Sequence, residues 1–274
     1  MIFAPNLRWW LIAIALISIA VVISVNRAPQ RQPQLAPLVA NTSAIAVAPR
    51  PSVAMELGAA ETLHVIVAPQ ALPDSVSHET IVAELNTALA YVSARTATVL
   101  AAPITVKIDA NPQCALHGVA YTTIREVQVF TCTALPLTRA VNILAHEFVH
   151  QLAHDHYGDA HLSSDPILLE GWATWGAGRY WLGRYASFRA FLGGQAPLPL
   201  ITSHLGRPAV EMNTLYYQWA SFVEYLLIRD GRDAFDRLYR SGRGTVGSAD
   251  YQGVYGVDLA TLEAEWRVWL TEER

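Results

Sequence analysis

Two histidines, His146 and His150, stand four residues apart in the run Val141-Asn142-Ile143-Leu144-Ala145-His146-Glu147-Phe148-Val149-His150-Gln151-Leu152. The apolar spacing of that run predicts a largely buried helix. At 3.6 residues per turn the two imidazoles lie about 40° apart around the axis and one turn apart along it. Both can then reach one ion from the same face. Glu147 follows the first histidine directly, so it cannot easily ligate that ion, but it can lie beside a water held there. This is the general-base position of the H-E-x-x-H pattern.

Catalytic zinc usually takes three protein ligands and keeps one position open. Two residues compete to be the third. Glu170, in Leu168-Leu169-Glu170-Gly171-Trp172-Ala173-Thr174-Trp175, follows His150 by twenty positions on a second expected helix. A carboxylate in so apolar a segment needs a partner, and a divalent cation is a good one. His156 is the alternative, and with it the run resembles the metzincin pattern H-E-x-x-H-x-x-G-x-x-H. Ala153, however, stands where that family has the glycine that lets the chain turn after the second ligand, and Met212 has an unconvincing context for the methionine turn that the family would imply. Glu170 is therefore preferred. His154, Asp155, His161 and Asp165 crowd the stretch between the two ligand segments and are expected to be solvated polar residues.

Three segments together, Ile143–Leu152, Leu168–Trp175 and Tyr216–Leu226, resemble the peptidase MA-like family of gluzincin zinc metallopeptidases. Tyr255–Trp266 is similar to that family's C-terminal helix, and the resemblance spans roughly residues 62–272. It implies that His146, His150 and Glu170 hold Zn2+ and that Glu147 acts as general base on a zinc-activated water. An oxyanion also needs a donor. Tyr216 is the candidate by its place in the pattern, with Tyr217 close behind and His204, expected on an exposed loop, as a further choice. The implied substrate is a peptide or protein. A zinc-stabilised binding module without catalysis, or a metal-dependent hydrolase of a non-peptide substrate, would use the same motif.

The organisation of the chain suggests an exported enzyme. Trp9–Val25 is seventeen residues without a charge, at the lower limit for a membrane-spanning helix, and Arg8, Arg27 and Arg31 flank it. It is read as an uncleaved anchor in preference to a signal peptide, since no suitable cleavage site lies close to the run. No Cys follows it to take a lipid. Residues 28–61 carry five prolines and no sustained period, which suits a flexible tether. The peptidase domain is expected over 62–274, on the extracytoplasmic side.

Within that domain the order is strands first and helices later, an α+β arrangement. The expected fold is a small N-terminal sheet followed by a mainly helical zincin-type domain, with one transmembrane helix ahead of it. Strands are predicted at 63–69, 104–108 and 126–131. A helix runs from His78 to about residue 98, and others cover 136–155, 167–182, 184–192, 212–230, 232–240 and 259–272. Cys114 and Cys132 flank a plausible hairpin, and a disulfide between them is as reasonable as two separate thiols. Lys107 is the only lysine and the net charge is −4, with no basic block, so nucleic acid is not an expected partner.

Overall fold

The computed structural model describes residues 62–193 and 195–272. The anchor expected at 1–27 and the tether at 28–61 lie outside the described residues. Among those described, no helix is long and apolar enough to cross a membrane.

Four strands form one sheet: β1 (Leu63–Val67), β2 (Ile104–Ala110), β3 (His117–Tyr121) and β4 (Glu126–Thr131). Their spatial order is β1-β2-β4-β3, parallel except for the antiparallel pair β3–β4, so β3 lies at an edge. Period-2 alternation decides which face is covered. Ile104, Val106 and Ile108 of β2, and Val127 and Val129 of β4, are buried on one face. The other face carries polar pairs, with Lys107 bonded to Glu126 and Gln128 to Asp109.

Two helices cover the apolar face. Helix α1 (His78–Thr96) starts at Ser77, whose hydroxyl caps Thr80 N–H, and buries Ile81, Leu85, Leu89 and Val92. Helix α2 (Leu137–Tyr157) packs beside α1 and under β3 and β4. Near its C-terminus Asp155 accepts two bonds from Arg125 and one each from Ala101 N–H and Gln151. That cluster ties the helix to the loop before β4.

The rest is helical. Helix α3 (Pro166–Ala177) is followed by α4 (Arg179–Leu182) and α5 (Phe188–Leu192). Helix α6 (Ala209–Arg240) lies against α3, and α7 (Tyr251–Tyr255) and α8 (Leu259–Thr271) close the fold. A small sheet followed by a mainly helical region is thus the observed architecture.

Several boundaries differ from the sequence expectation. The single helix expected at 167–182 breaks at Gly178, where φ is +45° and a Cβ would lie 2.3 Å from the Tyr91 hydroxyl. The helix expected at 184–192 is confined to α5, because Ser187 caps Ala190 N–H and so starts it late. The break expected between residues 230 and 232 is present, since Gly231 has φ +79° within α6. Cys114 and Cys132 form a disulfide, with their Cα atoms 5.2 Å apart across the β3–β4 hairpin.

Candidate metal centre

Helix α2 supplies two of the three groups that converge in the middle of the molecule. His146 Nε2 lies 3.1 Å from His150 Nε2, as the i, i+4 spacing requires. Helix α3 brings the third. Glu170 Oε2 is 3.2 Å from His146 Nε2 and 3.6 Å from His150 Nε2. His146 and Glu170 are buried and His150 is nearly so.

These separations fit one divalent ion. Ligands at about 2.0–2.1 Å from a tetrahedral zinc lie about 3.3–3.4 Å from one another. The donor chemistry fits as well. Two imidazole nitrogens and a carboxylate oxygen all point lone pairs at one place, an arrangement that a shared cation satisfies. Among the described residues these three form the one group of His, Cys, Asp or Glu side chains close enough to hold a metal.

Neighbouring groups set the orientation of the ligands. Thr174, one turn after Glu170 on α3, places its hydroxyl 3.3 Å from His146 Nδ1 and so steadies the ring with Nε2 inward. Gly171 allows α3 to approach α6, because a Cβ there would lie 2.7 Å from the Trp219 carbonyl oxygen. Burial alone would raise the Glu170 carboxyl, but hydrogen bonds with His146 and His150 outweigh it and hold the group well below the usual carboxylate range.

Glu147 stands outside the ligand trio. Its carboxylate lies against Gly118 of β3, within a cleft of about 310 Å³ that also exposes His146, His150, His161 and Glu170. Burial pushes the Glu147 carboxyl up to about 8, opposed by His150 and reinforced by Glu170. The open cleft beside a closed ligand trio is the arrangement of a catalytic zinc rather than a structural one.

Two histidines on one helix, a glutamate directly after the first, and a ligating glutamate from the next helix define the active site of a zinc-dependent hydrolase. Within that class, a glutamate as third ligand matches the catalytic geometry of the gluzincins. No protein-family model, curated protein or solved structure matches the chain. The assignment therefore stands on the site itself.

The other sequence candidates fall in different places. His156 points away from the centre, toward Asp236 at 3.5 Å, so it is no ligand. Tyr216 is fully buried, with its ring stacked on His146 at a centroid distance of 5.8 Å and its hydroxyl without a hydrogen-bond partner. Burial, with the charges of Glu170 and Glu147, raises that phenol well above its ordinary pKa. Tyr217 commits its hydroxyl to the Trp181 carbonyl oxygen at 3.0 Å. His204 is buried against Tyr216 and Trp219 rather than exposed on a loop.

Of the four residues expected to be solvated between the ligand segments, Asp155, His161 and Asp165 have buried side chains and His154 is half-buried. Helix α2 runs on to Tyr157, which places His154 and Asp155 on it. The Asp155 side chain is only 4% exposed and paired with Arg125. Asp165 is fully buried, where it caps α3 through Ile167 N–H and also accepts from Gly247 N–H, Ala249 N–H and the Tyr251 hydroxyl. His161 is buried at the cleft wall, its Nδ1 2.9 Å from the Tyr239 hydroxyl. Polarity alone suggested solvent for these residues, whereas Asp155 meets Arg125 from 30 residues away and the partners of His161 and Asp165 lie about 80 residues away in sequence.

Gly118 was missed altogether. A Cβ at that position would lie 2.7 Å from Glu147 Oε1 and 2.4 Å from Ile143 Cγ2. A lone glycine in a short strand marks a close approach, which is the one signal the sequence carried.

Proposed function

We propose that the chain is a membrane-anchored zinc metallopeptidase that hydrolyses internal peptide bonds of a peptide or protein substrate. The observation that carries the hydrolytic mechanism is the placing of Glu147. Its carboxylate faces the open cleft one residue after a ligand, yet takes no part in the ligand trio.

His146, His150 and Glu170 would hold the zinc. When bound, zinc supplies a Lewis acid that makes water more acidic and polarises a carbonyl. Glu147 takes the proton of the attacking water on a carboxylate oxygen and passes it to the departing amine nitrogen. Tyr216 is the donor proposed for the carbonyl oxygen as it gains charge; its hydroxyl is buried near Glu170, and the residue is not part of the cleft wall, so a small movement would have to bring it to the substrate. A peptide substrate is favoured because residues 118–120 of edge strand β3 line the cleft, and an edge strand offers free backbone groups to an extended chain. Anchoring and an extracytoplasmic site are supported by the apolar run Trp9–Val25 and by the Cys114–Cys132 disulfide, which suits an oxidising compartment.

Zinc content and peptide turnover of the full chain test the mechanism. Glu147→Gln should keep close to one zinc per chain while turnover falls about 10²–10⁴-fold. Glu170→Ala should lose the metal, and His156→Ala should keep it. Normal turnover in Glu147→Gln would refute the mechanism. A reporter fusion placing the C-terminus in the cytoplasm would refute the topology.

A further inference from the structure

A second cavity, of about 230 Å³, opens beside α2, lined by Arg139, Asn142, Ile143, Trp181, Asn213 and Tyr217 among others. We propose that it is a substrate subsite for a peptide carboxylate, with Arg139 as the recognising cation. The role as substrate subsite rests on the peptidase reading, whereas the chemistry of the pocket does not.

Position comes first. Arg139 precedes His146 by seven residues, which is nearly two turns and about 10 Å along the axis. Asn142 precedes it by four. Arg139, Asn142, His146 and His150 therefore form one stripe along a single face of α2. Two side chains that line the cavity also reach residues of the zinc cleft. Ile143 packs its Cγ2 into the space left by the missing side chain of Gly118, and the Trp181 ring lies 5.2 Å from the His146 ring. A peptide extended along β3 advances about 3.3 Å per residue. With Arg139 about 10 Å along α2 from His146, a side chain or chain end about three residues from the scissile bond has the reach to enter the cavity.

The chemistry follows from what lines it. The cavity has no acidic side chain in its wall. The half-buried Arg139 forms no ion pair among the described residues, although its charge is close enough to act on the Tyr217 hydroxyl. Tyr217 and Trp181 have already spent their donors, on the Trp181 and Asn142 carbonyl oxygens. Asn213 holds a buried amide oxygen with no partner. Rotating that amide by 180° exchanges its oxygen for an N–H donor, an equally valid assignment. The cavity then presents a planar guanidinium and an amide donor with no carboxylate of its own to match them. A carboxylate accepts such a set in bidentate fashion, and arginine is suited to it in a way that lysine is not. The carboxylate can come from an Asp or Glu side chain or from a free C-terminus.

The test uses the zinc-loaded full chain with Glu147→Gln, so that bound peptides survive. Fluorescein-labelled, C-terminally amidated peptides carry one Glu walked through six positions. A matched series carries Gln, a third carries Lys, and a neutral peptide keeps its free C-terminus. Anisotropy should show roughly tenfold tighter binding of Glu over Gln at one position, or of the free terminus over its amide, and this contrast names the source. Adding Arg139→Gln should abolish the preference, and Arg139→Glu should turn it toward Lys, with zinc content and melting temperature showing that both variants fold. Arg139→Lys, which keeps the charge but not the fork, should retain part of the preference. No preference for a carboxylate with Arg139 in place, or a preference that survives Arg139→Gln, overturns the proposal. An Arg139-dependent preference in a chain that cleaves no peptide with Glu147 intact upholds the binding site and refutes the peptidase reading.

Discussion

Replacing Gly118 with alanine tests whether a single methyl group can disable the general base from across the cleft. The added Cβ would lie 2.7 Å from Glu147 Oε1, 3.0 Å from Glu147 Cγ and 2.4 Å from Ile143 Cγ2, whereas ordinary contact begins near 3.4 Å. The carboxylate must withdraw by about 0.7 Å and the Ile143 methyl by about 1 Å to restore that contact, as the differences from 3.4 Å show. Such overpacking costs about 1–3 kcal/mol of stability. A misplacement of about 1 Å at a reacting group costs about 10²-fold in rate. The expected result is kcat/KM lowered about 100-fold, a modestly lower Tm, and zinc content unchanged, because the ligand trio does not touch Gly118. The loss should appear chiefly in kcat. Ile143→Ala added to Gly118→Ala removes one clash and leaves the other, so Tm should recover further than turnover does. Full activity in Gly118→Ala would refute the argument, as would turnover and Tm recovering together.

Two other perturbations separate chemistry from architecture. Tyr216→Phe should lower kcat about 10²–10³-fold with zinc retained, while Tyr217→Phe has a milder effect; if instead only His161→Asn impairs turnover, the donor is the histidine at the cleft wall. Asp155→Ala should cost about 2–3 kcal/mol at neutral pH by removing charge-assisted hydrogen bonds. Burial opposes ionisation of Asp155, but the bonds from Arg125, Ala101 and Gln151 outweigh it and lower its pKa. Its contribution is therefore present above about pH 4, the unfolded value, and is lost as pH falls through the lower folded value. Denaturant titrations of both proteins between about pH 7 and pH 2 should converge at the acid end; a constant gap would refute the assignment.

Much of the site could be read from the chain because its chemistry is local. His146, Glu147 and His150 occupy one helix, and 3.6-residue periodicity alone puts the two imidazoles on one face and the glutamate beside them. The break at Gly231 and the start of α1 after Ser77 are local in the same sense, set by backbone freedom and a side-chain cap. Glu170 was legible as a lone carboxylate in an apolar segment, although its distance from the histidines was not.

Tertiary structure decided everything that depends on two distant segments sharing a space too small for either alone. Glu170 of α3 reaches His146 of α2 while Gly171 beside it lets the same helix settle against α6. Gly118 has no side chain because Glu147 and Ile143 fill the volume one would need. Asp155, His161 and Asp165 look like surface residues until Arg125, Tyr239 and the 247–251 segment fold onto them. A polar residue is stable inside only if its partners arrive with it, and helical or strand spacing carries no record of where those partners lie. Periodicity specifies which way a side chain faces along its own element; close packing between elements specifies what it meets there.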